Sequence, residues 1–175
     1  MNASPTGGRI ELAAAGVANV STGLPVLDHL VTELARAGRF KLALEVAPGG
    51  ADEAVVAAGR TLGAVLGERV TVAGAAGRGW ALVPADEALA LAALERVPEP
   101  RLVTNVDFSD QRVGGLGTDV ASRFLHELAV AAGLNLHVRL VEGTDPQHVL
   151  AAIFKAVGAA LGQACRPEPE TKEDS

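Results

Sequence analysis

Side chains able to carry chemistry are few in this chain and widely spaced. Adjacent carboxylates stand at Asp52 and Glu53, Lys155 offers an ammonium group, and Cys165 is the only thiol. Two neighbouring acids can bind a cation, but acids in the first turn of a helix also answer the positive end of its dipole. Lys155 reads either as an anion contact or as a solvated helix lysine. Of the four histidines, His148 falls at a helix start, where a neutral imidazole is also comfortable, and His29 follows Asp28 inside a helix. His126 and His137 read as exposed or strand-face residues. One cysteine permits neither an intrachain disulfide nor a cysteine-rich zinc site, and Cys165 fits a small apolar residue near a helix end. Gly74–Gly79 has the look of a phosphate loop but lacks the Gly-Lys-Ser/Thr ending and the Gly-x-Gly-x-x-Gly spacing. No Ser-His-Asp or Cys-His constellation can be assembled.

The elements that must position these groups belong to one domain of 175 residues, or to two half-domains sharing a core. Apolar residues make up 49% of the chain and aromatics only 3%, so the core is built from Ala, Val and Leu. A net charge of −6 argues against a broad basic face for nucleic acid. No apolar run is long enough to span a bilayer, and Met1–Gly8 does not read as a signal peptide. The expected location is the cytoplasm.

Periodicity supplies the elements. Arg9–Ala15 and Val17–Thr22 read as strands, and Pro25 opens a helix that Gly38 stops. Phe40, Leu42, Leu44 and Val46 alternate as a strand, and a helix runs from about Asp52 to Gly67. Arg69–Ala73 and Trp80–Val83 read as strands. Propensity alone makes Ala85–Leu94 a helix, and β-branched content makes Leu102–Phe108 a strand. Gly114, Gly115 and Gly117 form a hinge-like loop, and Thr118 is a candidate helix cap. Leu134–Leu140 alternates as a strand. Asp145-Pro146 starts a helix with an N-cap acid followed by proline at the first helical position. Asp86 and Glu87 are expected to cap or pair locally. Residues 166–175 are charged and proline-containing and read as a disordered tail.

The helix–strand–loop–helix series at 25–66 returns at 118–162. Glu33-Leu34-Ala35 matches Glu127-Leu128-Ala129, and Arg60 and Leu66 fall 95 residues before Lys155 and Leu161. This points to a duplication. The division expected is a flexible 1–8, a first half-domain 9–95, a second half-domain 96–165 and the tail. Each half must bury one sheet face, which predicts an α+β sandwich: two β-sheets packed around a central four-helix layer.

Four strings carry a family resemblance: Thr22-Gly23-Leu24-Pro25-Val26-Leu27-Asp28-His29, Leu82-Val83-Pro84-Ala85-Asp86-Glu87-Ala88-Leu89, Leu136-His137-Val138-Arg139-Leu140 and Gln147-His148-Val149-Leu150-Ala151-Ala152-Ile153-Phe154-Lys155-Ala156. In order and spacing they resemble imidazoleglycerol-phosphate dehydratase, a family of histidine biosynthesis. The resemblance spans roughly residues 9–164. It implies a duplicated fold like that of ribosomal protein S5, and it turns residues 85–96 from helix to strand. It also implies a manganese-dependent hydro-lyase working on a phosphorylated imidazole diol, with trimers joined through metal sites into a larger shell.

The same resemblance shows what this chain lacks. The family's first His-His pair falls on Pro48 and Gly49, and its glutamate on Asp52, with Glu53 next to it. The second pair falls on Gln147 and His148, and its glutamate on Ala151; a strand histidine falls on Trp80. The N-terminal catalytic glutamate falls near Pro5. The phosphate arginine falls on Glu99, with Arg101 two residues away. The C-terminal Ser-Thr-Lys survives only as Glu170-Thr171-Lys172, whereas Lys155 is kept. The residual site is therefore His29, Asp52, Glu53 and His148, with Lys155 and Arg101 as anion contacts and His29, His148 and Asp52 as weak metal candidates. Manganese asks for about six hard ligands in octahedral array, so no cofactor is expected. The expected protein is a homologue that has lost dehydration and serves a structural, regulatory or small-anion-binding role, with a weakly active or repurposed hydro-lyase as the alternative. Expected partners are two further copies in a trimer, an intact dehydratase paralogue and a small phosphorylated ligand.

Overall fold

The computed structural model describes residues 5–108, 112–113 and 116–171. The elements are β1 (Gly7–Leu12), β2 (Val17–Ser21), α1 (Pro25–Gly38), β3 (Phe40–Glu45), α2 (Ala51–Val70), β4 (Arg78–Ala85), β5 (Ala88–Arg96), β6 (Arg101–Thr104), β7 (Arg112–Val113), β8 (Leu116–Gly117), α3 (Thr118–Ala132), β9 (Leu134–Glu142) and α4 (Pro146–Ala164). Strands β1-β3-β2 form one sheet, β4-β5-β9-β6 a second, and β7-β8 a short ribbon. Helices α1 and α2 lie on the first sheet, α3 and α4 on the second, and the layers meet as α1 on α4 and α2 on α3. This is the α+β sandwich with a central four-helix layer. Strands β4 and β5, in the 9–95 segment, hydrogen-bond into the second sheet through β5 and β9.

The helices close tightly because glycine lines their seams. A Cβ on Gly158 would fall on the backbone of Leu34, and one on Gly63 would lie 2.5 Å from the carbonyl oxygen of Leu128. Gly158 follows Gly63 by 95 residues, so both seams use the same device. Each seam also carries an ion pair, Arg60 to Glu127 at 2.9 Å and Lys155 to Glu33 at 3.7 Å. Contacts of Gly158 with Leu34 and of Gly162 with Gly38 run α1 and α4 parallel; Gly59 with Phe124 and Gly63 with Leu128 do the same for α2 and α3. Helix α1 connects the parallel strands β2 and β3, and α2 runs alongside β1, with Thr61 near Gly8 and Arg69 on the Ile10 carbonyl. Each half thus has parallel helices, and all four begin at the same end of the sandwich.

Several local expectations change. Arg69 and Val70 end α2 rather than opening a strand, because Val70 is fully buried and continues the helix's apolar face. Residues 86–87 form a turn and 88–96 form β5, the strand that the resemblance implies there in place of the helix that propensity alone suggests. Their alternating burial (Ala88, Ala90, Ala92 and Leu94 inward) overrides the helix propensity of alanine and leucine. Gly117 occupies the N-cap of α3, while Thr118 is the first helical residue and its hydroxyl donates to the carbonyl of Phe108. Gly7 and Gly8 belong to β1. Arg166 anchors the start of the tail by donating to the carbonyls of Gly38, Gly162, Ala13 and Arg39. Gly114, Gly115 and Lys172 lie outside the described residues.

Candidate functional site

The common end of the four helices gathers most of the polar groups singled out above. Its first corner is fixed by Asp28, whose carboxylate accepts from the Thr22 backbone N–H at 2.9 Å and from the Thr22 hydroxyl. This local lock turns the chain from β2 into α1 and accounts for Asp28 in the Leu-Asp-His string. His29 is next to it and exposed.

At the second corner Asp52 pairs with Arg123 of α3 at 3.2 Å. Glu53 lines the same shallow recess with Arg60 and Arg123. The acids of α2 therefore face guanidinium groups.

His148 is the most tightly held imidazole. Its Nδ1 lies 2.5 Å from Oε2 of Glu87, and its Nε2 lies 3.3 Å from Oδ2 of Asp86. The other oxygen of Glu87 accepts from the backbone N–H of Asp145 at 2.9 Å. Asp145 caps α4 by accepting from Gln147 N at 2.9 Å and His148 N at 3.4 Å. The β4–β5 turn is thus tied to the start of α4. The backbone N–H of Asp145, and then the His148 ring, hold the Glu87 carboxyl down at about 2. Glu87 in turn raises the pKa of His148 above its ordinary 6.5, against a smaller opposing desolvation. The ring is thus held through Nδ1 by Glu87, with the Asp86 carboxylate facing its Nε2 side.

Lys155 lies in the α1–α4 seam against Glu33. Arg101 opens β6 opposite Asn135, which follows the end of α3, so it stands at the far end of the second sheet from the helix starts. Trp80 is exposed on β4, six residues and about 20 Å of strand before Asp86. The chain thus brings His148 to Asp86 and Glu87, Asp52 and Glu53 to Arg123, and Lys155 to Glu33, while Arg101 stays apart. Reading by spacing passed over Arg123 and Glu33. Their signal was the charge complement of Asp52 and Lys155 across the repeat.

A donor set for manganese would need several unpaired imidazoles and carboxylates turned to one point. His148 is doubly paired and Asp52 is taken by Arg123. Among the described residues no group of three His, Cys, Asp or Glu could hold a metal ion. Within a single chain, the described side chains do not assemble the donor set that manganese asks for.

Two sheets about four co-directional helices, with polar groups at the helix starts, define an α+β domain with an internal repeat. The chain belongs to the imidazoleglycerol-phosphate dehydratase family, whose sequence pattern matches residues 22–161. It is 38% identical over 170 residues to the Imidazoleglycerol-phosphate dehydratase of Desulfitobacterium hafniense, covering 92% of this chain and 84% of that one. The Chloroflexus aurantiacus dehydratase is 36% identical over 165 residues, covering 90% and 78%. The crystal structure of the Staphylococcus aureus dehydratase superposes with a TM-score of 0.83 at 26% identity, over 91% of this chain and 92% of that one.

Proposed function

We propose that this member of the family has lost manganese-dependent dehydration and acts as a structural, regulatory or small-anion-binding protein. The observation that carries the reading is His148: the imidazole kept from the family's second His-His pair is hydrogen-bonded through Nδ1 to Glu87 and has Asp86 3.3 Å from its Nε2, contacts that an ion would have to displace. The other ligand positions implied by the resemblance hold Gln147 and Ala151 in α4, and Pro48 and Gly49 before α2. Lys155 remains as a cation for a small phosphorylated ligand, by exchanging Glu33 for the anion, whereas Arg101, at the far end of the second sheet, would be a separate anion contact. Without metal ligands to join them, the expected assembly is a trimer rather than a shell, with an intact paralogue as a further partner.

The test is manganese loading, desalting and elemental analysis, with molar mass from light scattering on the same sample. No retained metal and a trimer mass support the reading. One or two ions per chain with a shell mass overturn it, as does full rescue of a histidine auxotroph lacking the dehydratase.

A weakly active or repurposed hydro-lyase is the second reading. It is favoured by the 38% identity to a named dehydratase and by the placement of His29, Asp52, Glu53 and His148 at helix starts on one end of the fold. Rescue without measurable manganese would favour it.

A further inference from the structure

The two sheets follow one plan but differ in size. Strands β1 and β2 flank β3 antiparallel and parallel, as β5 and β6 flank β9. The second sheet then carries a fourth strand, β4, outside β5, whereas the first has no strand outside β1 among the described residues.

The helix over that vacant strip matches one that covers a strand. In the second half α4 packs on β4. A Cβ on Gly79 would fall on the Ala160 carbonyl. Gln163 accepts from the Trp80 backbone N–H at 3.0 Å and donates to the Trp80 carbonyl at 2.7 Å. The residues 95 positions earlier are Val65 and Glu68 of α2, the first half-buried and the second exposed, with no described strand in the place of β4.

The free edge of β1 is ordered and charged. The Ala13 N–H donates to the Arg39 carbonyl, next to β3. Arg9 and Glu11 therefore turn their peptide groups to β3, and Gly8, Ile10 and Leu12 turn theirs to the vacant strip. At the middle of this edge Arg69 donates to the Ile10 carbonyl through Nε at 3.2 Å and Nη2 at 2.9 Å. A guanidinium thus stands where the N–H of an added strand would come, and no acid pairs with Arg69 among the described residues to keep it there. On the outer face Glu11 has Lys41 beside it, but Arg9 has only Ala43 and makes no ion pair. An acid beside Arg9 and a base beside Glu11 are the complement of this edge.

We propose that the β1 edge takes an extended segment of a partner protein as a fourth, antiparallel strand, with small residues under α2, an acid opposite Arg9 and a base opposite Glu11. Main-chain pairing supplies the affinity and the flanking charges the selectivity. A second copy does not fit edge to edge, because its own α2 would lie over the same strip. The edge uses none of the ligand positions that the family resemblance implies.

The probe is a fluorescein-labelled hexapeptide, Arg-Gly-Glu-Ala-Leu-Val, which is the 78–83 run of β4 with glutamate in place of the indole. Its control has the two charges exchanged. Fluorescence anisotropy should saturate with a midpoint below about 1 mM, and the control should bind about fivefold more weakly. Arg9→Glu should reverse that preference. Leu12→Pro removes an edge N–H while leaving the ladder to β3 intact, and should weaken binding about tenfold. Circular dichroism establishes that both variants are folded; if Leu12→Pro is not, the Arg9→Glu reversal carries the test. Bound peptide should also slow amide exchange at Gly8 and Leu12. No saturation by about 5 mM overturns the proposal, as does equal binding of the two peptides or an unchanged preference in Arg9→Glu. Binding seen only after residues 1–4 are removed overturns it and identifies the chain's own N-terminal segment as the occupant. Binding that is lost as protein concentration rises overturns it in favour of a second copy.

Discussion

Replacing Gly158 by alanine tests the close helix seam on which the sandwich depends. The added methyl would sit on the Leu34 peptide, 2.7 Å from its carbonyl carbon and 2.8 Å from its Cα. Ordinary carbon contacts are 3.5–4.0 Å, so α1 and α4 must separate by about 1 Å. Backbone opposes backbone here, and no rotamer change relieves the overlap. Overpacking of this kind costs about 1–3 kcal/mol, and at a backbone contact the upper end applies. Alanine returns about 1 kcal/mol through its better helix propensity. The net expectation is a loss of about 2 kcal/mol, or roughly 4–8 °C in melting temperature for a domain of this size. Urea unfolding followed by circular dichroism measures it, with the slope unchanged and the midpoint lowered. Gly63→Ala, 2.5 Å from the Leu128 carbonyl, should fall in the same direction. Gly67→Ala, whose nearest contact is 3.2 Å, should be near neutral. A Gly158→Ala protein at least as stable as its parent would refute the argument, because propensity alone would then govern the position.

The Glu87–His148 pair should leave a signature in pH. Glu87 contributes above its ordinary 4.5 and loses that contribution as the pH falls through about 2; His148 contributes below 6.5 and loses it as the pH rises through its raised value. The stability gap between the parent and His148→Gln should therefore be full between about pH 4.5 and 6.5 and narrow above, and an NMR titration of His148 at or below 6.5 would contradict this. Arg166→Ala removes the donors to four backbone carbonyls and should cost about 2 kcal/mol in urea unfolding; an unchanged midpoint would show that the anchor is idle. Burial pushes the Cys165 thiol up to about 11, so native protein at pH 8 should react with a thiol reagent far more slowly than unfolded protein; equal rates would contradict the burial.

What could be read without coordinates was whatever obeys a local period. The apolar stripe of α4 and its Asp145-Pro146 start stood out because capping and helix spacing act within a few residues. The repeat stood out because element order and the Glu-Leu-Ala strings recur along the chain. Residues 85–94 were opaque, since alanine and leucine favour a helix locally and only pairing with β9 makes them a strand. The site was partly legible in the same way. The loss of ligands at Pro48, Gly49, Gln147 and Ala151 is a matter of residue type, but the capture of His148 by Asp86 and Glu87 joins positions 61 residues apart. The same holds for Arg123 on Asp52, which no spacing rule connects.

Gln163 has one more consequence, and it concerns the order in which the chain is made. Strand β4 is an edge of the second sheet, and an open edge is a template for joining other chains. The amide that closes it at Trp80 arrives 83 residues later, in the last helix. At ordinary ribosomal rates of about 5–20 residues per second, β4 waits roughly 4–17 seconds for its guard. During that interval the nascent chain presents a free strand edge with an exposed indole on it. Its safe passage then rests on chaperones or on slow encounter with its neighbours, and a truncation before Gln163 would leave the edge open for good.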